Sequence, residues 1–115
     1  MMLVDFFKCL SDETRLALIT LIFQEEELCV CELVEALDIH QAKISRHLSL
    51  LRKHHILQDI KDKQWVFYRI HPELAPWAKA VIARVVKENQ CNVDSAISKL
   101  NQMGERPVRQ QTCCK

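Results

Sequence analysis

Apolar positions recur at helical spacing through the first half of the chain. Leu3, Val4, Phe6, Phe7 and Leu10 group into one short helix, and Ser11-Asp12 ends it with residues suited to cap the next. Leu16, Ile19, Ile22 and Phe23 then mark a buried stripe along a helix over 12–23. Gln24 to Glu27 reads as an acidic connector. Val30, Leu33, Val34 and Leu37 share one face of a short helix over 30–37. Asp38-Ile39-His40 is a tight connection into a helix over 41–54. In that helix Ile44, Leu48 and Leu51 fall at i, i+4, i+7 and point into a core, while Lys43, Ser45, Arg46, His47 and Lys53 fall mostly elsewhere. Two short helices, a turn, and a second helix with an apolar back and a polar-basic front form a helix-turn-helix pattern.

The period then changes. Residues 56–60 and 64–70 read as strands, the second through the β-branched and aromatic run Trp65-Val66-Phe67-Tyr68-Arg69-Ile70. Lys61-Asp62-Lys63 between them forms a charged hairpin tip. A helix-turn-helix followed by a basic hairpin is the layout of a winged helix, so the fold class is mainly α with a small β-hairpin. Helical spacing returns over 73–89, where Leu74, Ala78, Val81, Ile82, Val85 and Val86 form a wide stripe and Pro76 sits in the first turn, where proline is tolerated. This stripe and the first helix carry more apolar surface than so small a domain hides, which predicts a dimer interface. A further helix is expected over 92–103 and a flexible tail from Gly104. The organisation is a DNA-binding and dimerisation domain over 1–90, followed by a short helix and tail over 91–115.

Composition supports the helical reading: among 115 residues there is 1 Gly and there are 3 Pro. The net charge of +1 looks neutral but is unevenly laid out. Residues 1–39 are net −7, residues 40–71 net +5 and residues 72–115 net +3. A basic middle coinciding with the helix-turn-helix suggests a polyanion-binding face. Asp5 and Lys8 interrupt the apolar N-terminus, which argues against a secretory signal, and no run of apolar residues is long enough to span a membrane. A cytoplasmic chain is expected. Its cysteines, at 9, 29, 31, 91, 113 and 114, then read as ligands or redox groups rather than disulfides.

The segments KCLSDETRLALITLI, ELCVCELVEAL, KISRHLSLLRKHHIL, KQWVFYRI and PELAPWAKAVI, in this order and spacing, resemble the arsenical-resistance repressors of the ArsR/SmtB family over about residues 3–90. The resemblance implies a homodimeric winged-helix repressor. It implies release from operator DNA when As(III) or Sb(III) binds cysteines at the start of the third helix, with no cofactor required for DNA binding. The chain departs from the family in three places. Val34 stands where a third cysteine is expected, Asp62-Lys63 where the hairpin has a glycine, and His40 where the recognition helix is often capped by serine.

Chemistry agrees with Cys29 and Cys31 as the metalloid ligands, because soft thiophilic ions select thiolates. On a regular helix residues i and i+2 point roughly 200° apart, so joint binding predicts an unwound segment, and the unwinding is a candidate switch. A third sulfur is to be sought at Cys113 or Cys114, at Cys9 (which also suits a core position), at Cys91, or in a free thiol such as glutathione. The DNA-facing set is Gln41, Lys43, Ser45, Arg46 and His47 for bases, and Arg52, Lys53, Lys61 and Lys63 for phosphates. Two rival readings use the same cysteines: a cadmium- or lead-type sensor, and a thiol redox-sensing repressor. Conventional enzyme readings lack parts, since no nucleophile–base arrangement, carboxylate pair or phosphate loop is evident.

Overall fold

The computed structural model describes residues 3–103, apart from the Cys91 side chain. The element order is α1 (Leu3–Leu10), α2 (Glu13–Glu25), β1 (Leu28–Cys29), α3 (Val30–Leu37), α4 (Gln41–Lys53), β2 (Leu57–Asp62), β3 (Trp65–Ile70) and α5 (Pro76–Gln102). The tail expected from Gly104 lies outside the described residues.

α2 is the central helix. Asp12 caps it by accepting the Arg15 backbone N–H at 3.0 Å. Its buried residues are Thr14, Leu18, Ile19, Thr20, Leu21 and Ile22, a wider set than one amphipathic stripe. Leu16 is only half-buried and Phe23 is 38% exposed, contrary to the expected face. The reason is tertiary: α1, α4 and α5 all pack on α2, so burial there does not follow a single face. Phe6, Leu33, Ile44, Leu48, Leu51 and Ile82 complete one shared core around it.

The C-terminal helices expected over 73–89 and 92–103 are one. α5 starts later, with Pro76 at its first turn, and runs unbroken to Gln102. Asn89 is no helix breaker. Its side-chain amide donates to Thr20 Oγ1 at 3.1 Å, and the Thr20 hydroxyl in turn donates to the Leu16 carbonyl at 2.7 Å. A buried threonine is thereby satisfied, which removes the cost of an orphaned polar group. Ala78, Ile82, Val86, Val93, Ala96 and Leu100 carry the apolar stripe along the full helix.

The hairpin holds β2 against β3 in antiparallel register from Leu57↔Ile70 to Asp62↔Trp65. Lys61 and Asp62 are therefore strand residues, and the tip is Lys63-Gln64 rather than 61–63. Lys63 takes a left-handed φ of 59° at the place where glycine would be at ease. A third strand is the main addition to the expected fold: β1 pairs antiparallel with β3 through Leu28↔Tyr68 and Cys29↔Phe67, giving the order β1-β3-β2.

Candidate functional site

Cys29 ends β1 and is also the N-cap of α3, with extended backbone at φ −92°, ψ 169°. Cys31 occupies the second position of the helix. Because Cys29 stands outside the helical spiral, the roughly 200° separation of a regular helix does not apply. The two sulfurs lie 3.3 Å apart. The expectation that the segment must unwind to bring them together is thus corrected: the junction between strand and helix already does so. Cys29 is buried at 3% exposure, and Cys31 is half-buried.

Local capping fixes this arrangement. The buried Glu32 carboxylate accepts the Cys29 N–H at 2.9 Å, and the Cys29 sulfur faces the Glu32 N–H, a capping box with cysteine in the serine role. On the other side, the pairing with Phe67 holds Cys29 in the sheet. Among the described residues no group of three or more His, Cys, Asp or Glu side chains is placed to hold a metal ion. Cys9 sits in the α1 core, where burial pushes its thiol pKa up, Arg15 partly opposing. Cys113 and Cys114 lie outside the described residues, as does the Cys91 side chain.

α4 buries Ile44, His47, Leu48 and Leu51. His40 caps it, its ring Nδ1 accepting the Ala42 N–H at 3.2 Å, so the histidine fills the cap role expected of serine. Gln41, Lys43, Arg46 and Lys53 are exposed and Ser45 is half-buried. Opposite the core, Ala42, Arg46, Ser49 and Lys53 form the outward stripe. Ala42 and Ser49 were absent from the expected DNA-facing set, although continuing the helical period from Arg46 finds both. His47 is placed elsewhere: it is 8% exposed and faces α2. Arg15 Nη1 donates to its Nδ1 at 3.3 Å, which puts the proton on Nε2, 4.0 Å from Asp12 Oδ1. Burial lowers the His47 pKa; Asp12 opposes this, and Arg15, Arg46 and Lys43 reinforce it.

The hairpin extends the basic surface. Lys61 and Lys63 are exposed near its tip. Arg52 is ion-paired with Asp59 of β2 at 3.2 Å, so it braces helix against wing. Arg69 donates to the Gln58 side chain at 3.1 Å across the hairpin.

A helix-turn-helix with a basic exposed stripe, followed by an antiparallel hairpin with cationic side chains near its tip, defines a winged-helix DNA-binding protein. Residues 12–58 match the family model described as "Bacterial regulatory protein, arsR family". The chain is 49% identical over 107 residues to the arsenic resistance transcriptional regulator ArsR1 of Pseudomonas putida, covering 93% of this chain and 84% of that protein. It is 43% identical over 97 residues to the arsenical resistance operon repressor of Escherichia coli K12, covering 84% and 83% respectively. Among solved structures, the AntR antimony-specific transcriptional repressor superposes with a TM-score of 0.60 at 26% identity, over 83% of this chain and 79% of that one. The chain belongs to the arsR family of bacterial regulatory proteins, and is a regulator of transcription rather than an enzyme. Among the described residues, no helix is long and apolar enough to cross a membrane.

Proposed function

We propose that the chain is a metalloid-responsive repressor: a homodimer that holds operator DNA and releases it when As(III) or Sb(III) binds Cys29 and Cys31. The observation that carries this reading is the 3.3 Å separation of the two sulfurs. Two thiolates bound to one atom at about 2.3 Å each, as in zinc–thiolate sites, stand roughly 3.3–3.8 Å apart. The sulfur separation therefore matches the spacing that one thiophilic atom requires of two ligands. The arsenic-resistance relatives and the antimony-specific structural neighbour support the choice of ion. The third ligand is sought at Cys113 or Cys114 or in an external thiol, since Cys9 lies in the core and does not join the pair.

With the sulfurs already together, closing the site does not itself supply the switch. The change must come from the charge of the bound ion and from the third ligand acting on the junction. Two routes leave that junction. One runs through α3 and the Asp38–His40 turn into α4; the other runs through the Cys29↔Phe67 pairing into β3 and the wing. Both end on DNA-facing elements. A coupling free energy of about 1–3 kcal/mol between metalloid and operator suffices for release, and reciprocity requires DNA to weaken metalloid binding equally.

The test is a mobility-shift titration on the chain's own promoter fragment with arsenite, antimonite, cadmium, lead, zinc and peroxide. Release by arsenite or antimonite is expected in the wild type. Cys29→Ser should bind DNA normally and resist release. A Cys29→Ser protein released at wild-type arsenite concentrations overturns the ligand assignment. Release by cadmium or lead alone, or by peroxide alone, transfers the site to the corresponding rival reading.

A further inference from the structure

A shallow hollow of about 380 Å³ lies between the first turn of α2 and the C-terminal half of α4. Arg15, Arg46, His47, Ser49, Leu50 and Lys53 line it. We propose that this hollow seats one backbone phosphate of operator DNA, with Arg15 as its anchoring cation. The inference rests on the DNA-binding reading above and adds a contact from α2, outside the helix-turn-helix.

Three observations converge. First, three cations, Arg15, Arg46 and Lys53, are among the residues that line the hollow. Among the described residues, none of Arg15, Arg46 and Lys53 takes part in an ion pair. The nearby acid, Asp12, accepts the Arg15 backbone N–H at 3.0 Å and lies 4.0 Å from His47 Nε2.

Second, Arg15 is immobilised by neutral acceptors. Its Nε donates to the Cys9 carbonyl at 2.9 Å, Nη2 to the Lys8 carbonyl at 3.1 Å and Nη1 to His47 Nδ1 at 3.3 Å. A guanidinium has five N–H donors, so two remain for a ligand. A guanidinium fixed in this way loses little entropy on binding and matches the geometry of phosphate oxygens.

Third, the remaining donors are placed by the helix period. Arg46, Ser49 and Lys53 fall at i, i+3 and i+7, on the face of α4 opposite Ile44, Leu48 and Leu51. A hydroxyl and two long cations therefore stand beside the fixed guanidinium on the surface a DNA backbone would cross. His47 also lines the hollow, in its neutral, Nε2-protonated form. Its burial and the Arg15 donor bond both favour that form.

The test uses the full-length chain and a series of operator duplexes, each carrying one neutral methylphosphonate linkage. One linkage position per half-site should weaken wild-type binding at least roughly tenfold, the size of one charge-assisted contact. At that position Lys53→Gln and Ser49→Asp should lose no further affinity, whereas at other positions their losses should add to that of the linkage. Lys53→Gln should also flatten the salt dependence by about 0.9 per subunit in the log–log slope. Both side chains are exposed, so these variants test the site even where Arg15→Gln fails to fold. Additive losses at every linkage, or an unchanged salt slope, overturn the phosphate site while leaving operator binding in place. A wild type that binds no operator overturns the repressor reading, and this inference with it.

Discussion

His47 shows how one side chain can satisfy a motif and still be placed for another purpose. In sequence it belongs to the Ser-Arg-His-Leu run at the front of a recognition helix. In the fold it is a strut between α4 and the capped start of α2, accepting from Arg15 and facing Asp12. Its pKa is lowered from the ordinary value of about 6.5, chiefly by burial. The sign follows from linkage. The unfolded chain takes up a proton near pH 6.5 that the folded chain resists, so stability contributed by the neutral ring is lost as pH falls below that value. Asp12 acts in the same direction at lower pH. Its carboxyl is held below the usual range, first by the Arg15 backbone N–H, and that stabilisation disappears as the carboxylate is protonated. The thermal midpoint should therefore drop between pH 7 and pH 5 in the wild type. His47→Gln keeps an acceptor for Arg15 and does not titrate, so its midpoint should fall less over the same interval. Parallel curves for the two proteins would exclude His47 as the titrating group.

At the scale of elements, the wing tip poses a separable question of strain and charge. Lys63 holds φ 59°, a conformation that costs a non-glycine residue roughly 1–2 kcal/mol. Lys63→Gly removes that cost but adds backbone entropy to the unfolded chain, on the order of 0.4–1 kcal/mol. Stability should be unchanged or higher by up to about 1 kcal/mol in denaturant titration. The same variant should bind operator more weakly, with a salt slope lower by about 0.9 per subunit, because a phosphate contact is lost. A slope equal to wild type would show that the tip does not touch the backbone. The elements were largely legible beforehand because α1, α3, α4 and the hairpin each carry a clear period in their own residues. What was not legible depends on partners distant in the chain. Nothing in Leu28-Cys29 alone announces a strand, since two residues become one only by pairing with Tyr68 and Phe67. That missing strand is also why Cys29 and Cys31 read as mutually averted: the spacing argument assumed a regular helix through both. Likewise the place of Asn89 inside a single α5 is matched by its bond to Thr20, 69 positions away.

For the whole molecule, the distribution of charge and of exposed apolar surface bears on the proposed dimer and its DNA. The +1 net charge is the sum of an acidic segment over 1–39 and a basic one over 40–71 with a mildly basic remainder. Away from the core, α1 presents Leu3, Val4 and Phe7 at 57%, 59% and 47% exposure. Phe6 beneath them stacks edge-to-face on Phe7 and on Trp77 of α5, with centroids 5.4 and 5.1 Å away, and Trp77 is itself 41% exposed. Exposed apolar surface is thus present on α1 and at the start of α5, bridged beneath by the buried Phe6. Such surfaces mark contact sites, and a two-fold pairing through this one would present two α4 helices to two half-sites. Linking the half-sites makes the second engagement intramolecular, and that avidity is worth on the order of 10²–10⁴ in affinity. Phe7→Glu places a charge among these exposed side chains and gives up one edge contact with Phe6. It should sediment as a folded monomer with unchanged helical circular dichroism, and lose operator affinity by about that factor. A Phe7→Glu protein that still sediments as a dimer would move the interface off α1. A folded monomer with full operator affinity would remove the need for a dimer on DNA.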